Sequence, residues 1–373
     1  MSRHDAYREE VMGRANVGDT PERVAYYQEL ERFDTAALWT VANKIEPWEP
    51  RSESVPVVWR YQDLREHVLR SIDLVTPEEA GRRVIYLNNP GRREVAAAVG
   101  WLYSGLQVMR PGEAASAHRH SACALRFIME GRGAYTIVDG HKMTLGANDF
   151  VLTPNGTWHE HGVSADGTPC IWQDGLDIPL VNALEAGFYQ VHPELRQAVT
   201  HPVDDATLTW GNAALLPAGD AWSKPYSPLL KYEWAPTYEA LQRHARATEG
   251  SPFDGVLMNY INPATGGAVM PTIGASMQML RPGEHTKAHR QVGSFLYQVA
   301  KGSGHSIING KRYDWSERDI FCVPSWAFHE HVNGSATDDA CLFCFHDLPV
   351  MRALKLYREE ALADNGGHQP IIA

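Results

Sequence analysis

The strongest constraint on the fold is an internal repeat, at a spacing of about 171 residues along the chain. Leu106 begins LQVMRPGEAASAHRHSACALRFIMEGRGAYTIVDG, which aligns almost without a gap with MQMLRPGEHTKAHRQVGSFLYQVAKGSGHSIING from Met277. The match continues from NDFVLTPNGTWHEHG at Asn148 to RDIFCVPSWAFHEHV at Arg318, and then from DIPLVNAL to DLPVMRAL. The chain therefore contains two copies of one module of about 75 residues.

Each copy has the pattern of antiparallel β structure. Its apolar runs are short, rich in Val, Ile, Phe, Tyr and Thr, and separated by turn dipeptides. TIVDGHKMTL predicts a hairpin turning at Asp139 and Gly140, and SIINGKRYDW predicts the equivalent hairpin at Asn309 and Gly310. Each copy is therefore predicted to be an all-β sandwich or barrel.

Helical patterns lie mainly outside the copies. TPERVAYYQELERF has Thr20 as an N-cap with Pro21 at the first helical position, TYEALQRHARATEG runs from Thr237 to Gly250, and LPVMRALKLYREEALA lies near the C-terminus. The expected organisation has four segments: an N-terminal helical or extended arm (1–75), a first module (76–185), a connector (186–260) and a second module with a C-terminal helix (261–373).

The composition favours a small-molecule substrate. A formal net charge of −11 argues against nucleic acid or an anionic membrane as the partner. The sequence has no apolar run of about 18 residues, and its start, MSRHDAYREEVMGR, lacks the order of a signal peptide, so a cytoplasmic location is expected. The five cysteines are scattered and are expected to be buried small apolar residues.

The histidines of the first copy have the spacing of a metal site. Residues two apart in a strand face the same side, so His118 and His120 can aim at one point inside the barrel. His159 and His161 repeat that geometry, and the turn at 154–156 would return His159 beside the first pair. Three neutral imidazoles leave open positions on a divalent metal, which is typical of a reactive site.

The second copy is an internal control for this interpretation. It keeps two of the three histidines, as His289 and His329, but has Gln291 in place of His120. A lone HxH pair is often ordinary strand decoration. A module that keeps three ligands in one copy and two in the other instead predicts one working metal site and one degenerate site.

These motifs resemble a known family. RPGEAASAHRH followed by TPNGTWHEH is similar to the two motifs of the cupin superfamily, small jelly-roll barrels that hold a metal. The resemblance implies a bicupin, an all-β dominated fold of two jelly-roll β-barrels with flanking helices. More narrowly, HRHSACALRFIMEGRGAYT with WHEHG and WQDGLDIPLV resembles the gentisate 1,2-dioxygenase family, which includes salicylate and 1-hydroxy-2-naphthoate dioxygenases. This similarity runs from Ala37 through the C-terminal segment.

One departure from the general cupin pattern supports the narrower match. Many cupins have a glutamate ligand a few residues after HxH, where this chain has Arg126 and the second copy has Tyr297. An arginine cannot bind a metal, but it can hold a carboxylate through a bidentate fork. The alternative is an arginine that leaves the barrel for solvent.

The resemblance implies a reaction. A three-histidine site leaves the metal its full 2+ charge and so favours a substrate with adjacent carboxylate and phenol oxygens. Spacing alone does not distinguish Fe from Mn, Ni or Zn. The resemblance implies Fe(II), one per subunit, and insertion of both atoms of O₂ between the carboxyl- and hydroxyl-bearing carbons of gentisate to give maleylpyruvate. It also implies a homo-oligomer, typically a homotetramer.

Four further residues are candidates for contact with the substrate or for its support. His161 would hydrogen-bond the substrate or oxygen, or act as acid or base, unless it only lines the barrel. Arg82, favoured over its neighbour Arg83, aligns with a family position that reaches the substrate. Asp174 would orient His161 or an arginine, or be purely structural. Gly105 is a candidate pocket residue that is equally consistent with packing.

The ring substituent stays open. Many family members have a glutamine shortly after HRH, where this chain has Ala122 and Cys123. Gentisate is the first choice, and salicylate, a 5-substituted salicylate such as 5-nitrosalicylate, or 1-hydroxy-2-naphthoate is the alternative. The more distant alternatives are a metal-dependent isomerase or hydrolase on the same barrel and a non-catalytic bicupin.

Overall fold

The N-terminal segment forms a small unit of its own. The structure is a computed structural model that describes residues 19–212, 215–219 and 222–372. Its contacts divide the chain into two units, Met1–Arg51 and Ser52–Ala373. The described part of the first unit contains helix α1 (Pro21–Glu31), a 3₁₀ turn and helix α2 (Ala42–Ile45). The predicted start of α1 is confirmed, since the Thr20 side chain accepts a hydrogen bond from the backbone N–H of Arg23.

The second unit contains the two copies as four antiparallel sheets. The strands before the second copy are β1 (Val57–Trp59), β2 (Val84–Tyr86), β3 (Tyr103–Met109), β4 (His118–His120), β5 (Ala124–Glu130), β6 (Ala134–Val138), β7 (His141–Leu145), β8 (Phe150–Thr153), β9 (His159–Val163), β10 (Cys170–Leu176), β11 (Tyr189–Val191) and β12 (Lys231–Tyr232). The remaining strands are β13 (Val256–Tyr260), β14 (Gly274–Leu280), β15 (His289–Gln291), β16 (Phe295–Lys301), β17 (Ser303–Ile308), β18 (Lys311–Ser316), β19 (Ile320–Val323), β20 (His329–Asn333), β21 (Ala340–His346) and β22 (Glu359–Ala361).

The two copies have the same topology. The first copy pairs its strands as β12-β8-β5-β10-β3-β2 and β11-β4-β9-β6-β7, and the second as β1-β19-β16-β21-β14-β13 and β22-β15-β20-β17-β18. Two antiparallel sheets per copy form a jelly-roll barrel. Both predicted hairpins are confirmed: Asp139 and Gly140 have φ of 44° and 87°, and Asn309 and Gly310 have φ of 48° and 77°.

Strands from outside the repeats complete the barrels. β1 precedes the first copy in sequence, yet it pairs with β19 in the barrel of the second copy. β12, from the expected connector, pairs with β8 in the first barrel. This crossing of chain segments joins the two barrels into one unit. The residue boundaries of the four expected segments stay predictions, although these pairings assign parts of the arm and connector to the barrels.

Helices flank the barrels and are mostly short. The helices of the second unit are α3 (Tyr61–Leu74), α4 (Pro77–Ala80), α5 (Ile178–Ala183), α6 (Asp205–Trp210), α7 (Trp234–Ala247) and α8 (Leu348–Ala353), with a 3₁₀ turn at Asn365–Gly367. Among the described residues, no helix combines the length and the apolar composition that a membrane span requires.

The C-terminal helix is shorter than its sequence pattern predicts. α8 ends at Ala353, and Lys355 then adopts a left-handed backbone with φ of 59°. Residues of the expected helix instead form β22, which pairs with β15. Pairing with the open edge of a sheet overrides the helical preference of these residues.

Aromatic rings join the two barrels. Phe127 of the first barrel stacks on Phe343 of the second at 4.1 Å between ring centroids, with an interplanar angle of 15°. Nearby, a Cβ atom on Gly175 would lie 2.6 Å from Cζ of Phe345, so only glycine permits this close approach of β10 to the second barrel. All five cysteines are buried and free, as expected.

Removal of one interface ring should destabilise the whole second unit. We expect Phe343→Ala to lower the free energy of unfolding by about 3–5 kcal/mol, because a fully buried aromatic side chain leaves a cavity between the barrels. Chemical denaturation followed by intrinsic fluorescence measures the loss. Leu208→Ala, at a side chain 71% exposed, is the control and should change the value by less than about 0.5 kcal/mol. An equal effect of both substitutions would contradict this account of the core.

Candidate metal centre

Three histidines of the first barrel meet at one point. His118 on β4 lies directly opposite His159 on β9, and His120 lies two residues further along β4 on the same face. One ring nitrogen from each of the three lies within 4.8 Å of the others. Their ring centroids are 4.3 Å apart for His118 and His159, 4.7 Å for His120 and His159, and 5.7 Å for His118 and His120. The structure thus brings together the three residues that the sequence nominates as ligands.

Backbone carbonyls fix the orientation of these rings. The Nδ1 atoms of His118, His120 and His159 lie 2.8, 2.9 and 3.0 Å from the carbonyl oxygens of Ser116, Ala122 and Thr157. A carbonyl only accepts, so each Nδ1 carries the proton and each Nε2 keeps a lone pair. All three Nε2 atoms are buried and find no hydrogen-bond partner among the described residues. Buried, unpartnered imidazole nitrogens of this kind fit a divalent metal.

The electrostatics keep these imidazoles neutral. Burial, followed by the positive charge of Arg82, lowers the pKa of His118 to about 3 and that of His120 to about 4. Burial also lowers the pKa of His159 well below its ordinary value. Neutral imidazole is the form that binds a metal, so at pH 7 these rings need lose no proton to do so.

Arg126 and Asp174 form a buried ion pair in the same barrel. They face each other on β5 and β10, with Nε of Arg126 3.0 Å from Oδ1 of Asp174. Nη1 of Arg126 donates to the hydroxyl of Thr153 at 3.0 Å. Burial lowers the pKa of the guanidinium to about 10, partly offset by Asp174, and burial raises the pKa of Asp174. Arg126 is 1% exposed, so it does not leave the barrel for solvent.

His161 lies next to the three-histidine cluster but is not part of it. Its ring centroid is 5.5 Å from that of His159, and its Nδ1 lies 2.8 Å from the hydroxyl oxygen of Thr136. Its Nε2 is buried and lacks a partner in the described part of the chain. Burial and the charge of Arg126 lower its pKa well below the ordinary value. A neutral ring with one free nitrogen can accept or donate a proton beside the metal position.

The neighbouring arginines of β2 and its approach have different surroundings. Arg83 is buried and forms an ion pair with Glu113, and it donates to the carbonyl of Val75 at 3.2 Å. The guanidinium carbon of Arg82 instead lies 5.9 Å from the ring centroid of Tyr189, on the side of the histidines. The structure therefore places Arg82, rather than Arg83, near the candidate site.

Gly105 lies on β3 directly opposite Asp174. A Cβ atom there would meet Cγ1 of Val84 at 2.5 Å and the hydroxyl of Tyr103 at 3.2 Å. Packing of β2 against β3 thus requires a glycine at this position. Contact of Gly105 with a substrate stays a prediction.

Sequence reasoning missed three residues that shape the site. Tyr189 on β11 stacks on His118, with ring centroids 5.2 Å apart and an interplanar angle of 23°. Thr136 contacts the ring of His161, and Thr153 accepts a hydrogen bond from the guanidinium of Arg126. Thr136 is a polar residue within the mostly buried strand β6, AYTIV, and this position could have identified it. Tyr189 lies outside the repeated motif, in a strand of three residues that is too short for a sequence pattern to predict.

The second barrel lacks this arrangement because Gln291 stands in place of a third histidine, and carboxylates surround His289. Nδ1 of His289 lies 3.3 Å from Oε1 of Glu359, and its Nε2 lies 3.8 Å from Oδ1 of Asp254. Glu359 of β22 pairs with Gln291 of β15. In the first barrel, Tyr189 of β11 pairs with His120 of β4 in the same way. An aromatic partner in one copy is thus an acidic partner in the other. Among the residues described, no three-histidine cluster forms here.

Comparison with known proteins agrees with this geometry. The Cupin domain model matches residues 105–179 and 276–346. The chain is 38% identical over 340 residues to gentisate 1,2 dioxygenase 1 of Aquipseudomonas alcaligenes, covering 91% of this chain and 96% of that protein. It is also 38% identical to 5-aminosalicylate 1,2-dioxygenase of Comamonas sp, with coverage of 93% and 92%.

The chain belongs to the gentisate 1,2-dioxygenase family. A solved structure of salicylate 1,2-dioxygenase from Pseudoaminobacter salicylatoxidans with gentisate superimposes with a TM-score of 0.86 at 33% identity, covering 94% of this chain and 97% of that one. The predicted bicupin fold and the assignment to the dioxygenases are confirmed by these matches. Members of this gentisate 1,2-dioxygenase family are metal-dependent, and the histidine cluster of this chain fits such a metal.

Loss of one cluster histidine should abolish metal binding by the first barrel. We expect His159→Ala protein, reconstituted anaerobically with Fe(II) and desalted, to retain less than about one tenth of the wild-type iron, since a two-nitrogen site binds weakly. His289→Ala removes the equivalent of His118 in the second barrel and should leave the iron content unchanged. Elemental analysis measures the iron, and circular dichroism checks the fold. Iron retained by His159→Ala but lost by His289→Ala would show that the second barrel binds the metal and would contradict this prediction.

Proposed function

We propose that this protein is an Fe(II)-dependent gentisate 1,2-dioxygenase. It inserts both atoms of O₂ between the carboxyl- and hydroxyl-bearing carbons of gentisate to give maleylpyruvate, with one iron per subunit held by His118, His120 and His159. The observation that carries the proposal is the set of three buried, unpartnered Nε2 atoms that face one point beside Arg126 and His161. The bound metal supplies a site for both oxygens of the substrate and for electron transfer to O₂.

Three neutral ligands select the charge of the substrate. They leave the 2+ charge of a bound ion uncompensated, in a barrel where burial makes net charge costly. A carboxylate and an adjacent phenolate together bring two negative charges. This balance favours a salicylate-type acid over a neutral phenol, and the curated relatives named for gentisate and 5-aminosalicylate are in accord with it.

Protein cations orient the substrate. We assign Arg126 to the carboxylate, because its planar guanidinium is held from one side by Asp174 and Thr153. Asp174 is a positioning residue for Arg126 rather than for His161. Arg82 supplies a second positive charge at the mouth of the site, where it also lowers the pKa of His118 and His120.

His161 handles the proton of the substrate hydroxyl. Its Nδ1 lies beside the hydroxyl of Thr136 and its buried Nε2 has no partner among the described residues, so we assign Nε2 as the proton acceptor. Removal of the hydroxyl proton would leave a phenolate, whose negative charge matches the positive charge of a bound metal ion.

An oxygen-electrode panel tests the reaction and its substrate. Iron-reconstituted enzyme should consume one O₂ per gentisate and form a ring-opened product detected by its absorbance. Salicylate, 5-nitrosalicylate and 1-hydroxy-2-naphthoate lack the electron-donating 5-substituent of gentisate and should react with lower kcat/KM. 5-Aminosalicylate carries an amino donor at that position, so its kcat/KM should come nearest to that of gentisate. Oxygen uptake with none of the five acids would refute the proposal, and a higher kcat/KM for a salicylate would reassign the substrate.

Replacement of Arg126 tests whether its guanidinium holds the substrate carboxylate through two hydrogen bonds; we call this residue the clamp. Arg126→Lys keeps a positive charge but loses the planar fork, so kcat/KM for gentisate should fall about 10- to 100-fold, the loss of one charge-assisted hydrogen bond. Arg132→Lys, at an exposed loop position, is the matched control and should leave kcat/KM unchanged. Steady-state oxygen uptake measures both. Equal activity of Arg126→Lys and wild type would remove Arg126 from the carboxylate site.

We also propose that the chain assembles as a homotetramer. The N-terminal unit supports this, since Phe33, Leu38, Trp39 and Ile45 are all large apolar residues that are exposed in the single chain. Light scattering coupled to size-exclusion chromatography should give a mass four times the chain mass of 41.6 kDa. A monomer mass would contradict the proposal.

A further inference from the structure

A buried glutamate follows the first histidine of the HEH motif in both barrels. In the first barrel, Glu160 accepts from Nη1 of Arg196 at 3.3 Å and from the backbone N–H of Gln197 at 3.0 Å. A permanent cation therefore compensates this carboxylate. Such compensation matters, because an unpaired buried charge is strongly destabilising.

The second barrel repeats this structure with one change. Glu330, which is 0% exposed, accepts from the backbone N–H of Gln369 at 3.0 Å. Oε1 of Gln369 accepts from Gly310 N at 2.9 Å, just as Oε1 of Gln197 accepts from Gly140 N at 3.0 Å. The two glutamines are thus equivalent, and His368 stands where the first barrel has arginine.

Two histidines surround Glu330. Nδ1 of His368 lies 2.9 Å from Oε2 of Glu330, and Nε2 of His285 lies 3.4 Å from the same oxygen. Both ion pairs of Glu330 in the described residues are with histidines, whereas Glu160 of the first barrel pairs with an arginine. The first barrel has Ala114 at the position of His285.

We propose that His285, Glu330 and His368 form a zinc site on the second barrel. Ligand atoms of a tetrahedral zinc ion with bonds of about 2.0–2.2 Å lie about 3.3 Å apart. The distances of 2.9 and 3.4 Å bracket that value, and all three ligand atoms lie within 4.8 Å of one another. Two imidazoles and a carboxylate are a donor set that zinc binds readily, and the ion supplies the charge that Arg196 supplies in the first barrel.

A second cluster of similar composition lacks this geometry. His141 and His201 both approach Asp205, but their rings stack at 3.7 Å between centroids and only 12° from parallel. Lone pairs that lie in parallel planes do not converge on one ion. The rings of His285 and His368 are inclined by 46°, which allows their nitrogens to bind the same metal ion.

The zinc site would fasten the C-terminal segment to its barrel. His368 follows the 3₁₀ turn whose Gly367 carbonyl accepts from the N–H of Ala288, and Ile372 N–H donates to the carbonyl of Gly310. A zinc ion bound by both His368 and Glu330 would add a further link between this segment and the barrel. Because zinc would bind only the folded form, its binding should raise the melting temperature.

Zinc titration of the full chain tests this proposal. Chelator-treated wild type, His368→Arg, His285→Ala and His201→Ala are titrated with ZnSO₄ by calorimetry, and bound zinc is counted after desalting. Wild type and His201→Ala should bind one more zinc per chain than His368→Arg and His285→Ala. His368→Arg restores the arginine of the first barrel, so it should fold without metal.

The His118→Ala/His120→Ala variant distinguishes zinc bound by the second barrel from zinc bound by the three-histidine cluster of the first barrel. This double variant should keep the zinc assigned to the second barrel and its zinc-dependent rise in melting temperature. Failure of the dioxygenase assay leaves that result unaffected, so the two proposals stand or fall separately. Equal zinc content of wild type and His368→Arg would overturn the zinc site, as would loss of zinc by His201→Ala alone.

Discussion

The protein depends on one local constraint, the pairing of two short strands that sets imidazoles opposite each other. Antiparallel register places His118 across from His159, and the two-residue period of β4 adds His120. Each Nδ1 is then held by the carbonyl of a residue two positions away in sequence. Local backbone geometry therefore both positions the rings and selects their tautomer. A shift of register by one residue would turn these rings out of the barrel.

The duplicated barrel separates chemistry from support. Both copies keep the strand order and the HEH strand, but their edge strands present different side chains to the shared position. Tyr189 stacks on His118 in the first copy, whereas Glu359 approaches His289 in the second. The second barrel meanwhile supplies Phe343 and Phe345 to the interface, where they pack against the strands that carry Arg126 and Asp174. The degenerate copy is thus structural support for the candidate site.

Much of the fold and part of the site could be predicted from sequence, because both follow from local rules repeated twice. Asp139-Gly140 and Asn309-Gly310 have dihedral preferences that specify hairpins, and HxH spacing specifies a common face. Edge strands could not be predicted in this way. β1 and β12 have three and two residues, and each pairs with a partner far away in sequence. The end of α8 depends likewise on the open edge of β15, a feature absent from any local window.

Charge explains why the site needs more than its histidines. Asp174 neutralises Arg126 while leaving its guanidinium in the barrel, so the clamp adds direction without adding net positive charge. Arg82 has no carboxylate within 4.0 Å among the described residues, and its guanidinium lies beside Tyr189, which stacks on His118. A doubly charged aromatic acid would therefore be attracted first by Arg82 and then matched in charge only at the three-histidine centre. Under the proposed function, Arg82 would contribute mainly to association, whereas Arg126 would fix the orientation in which the ring reacts.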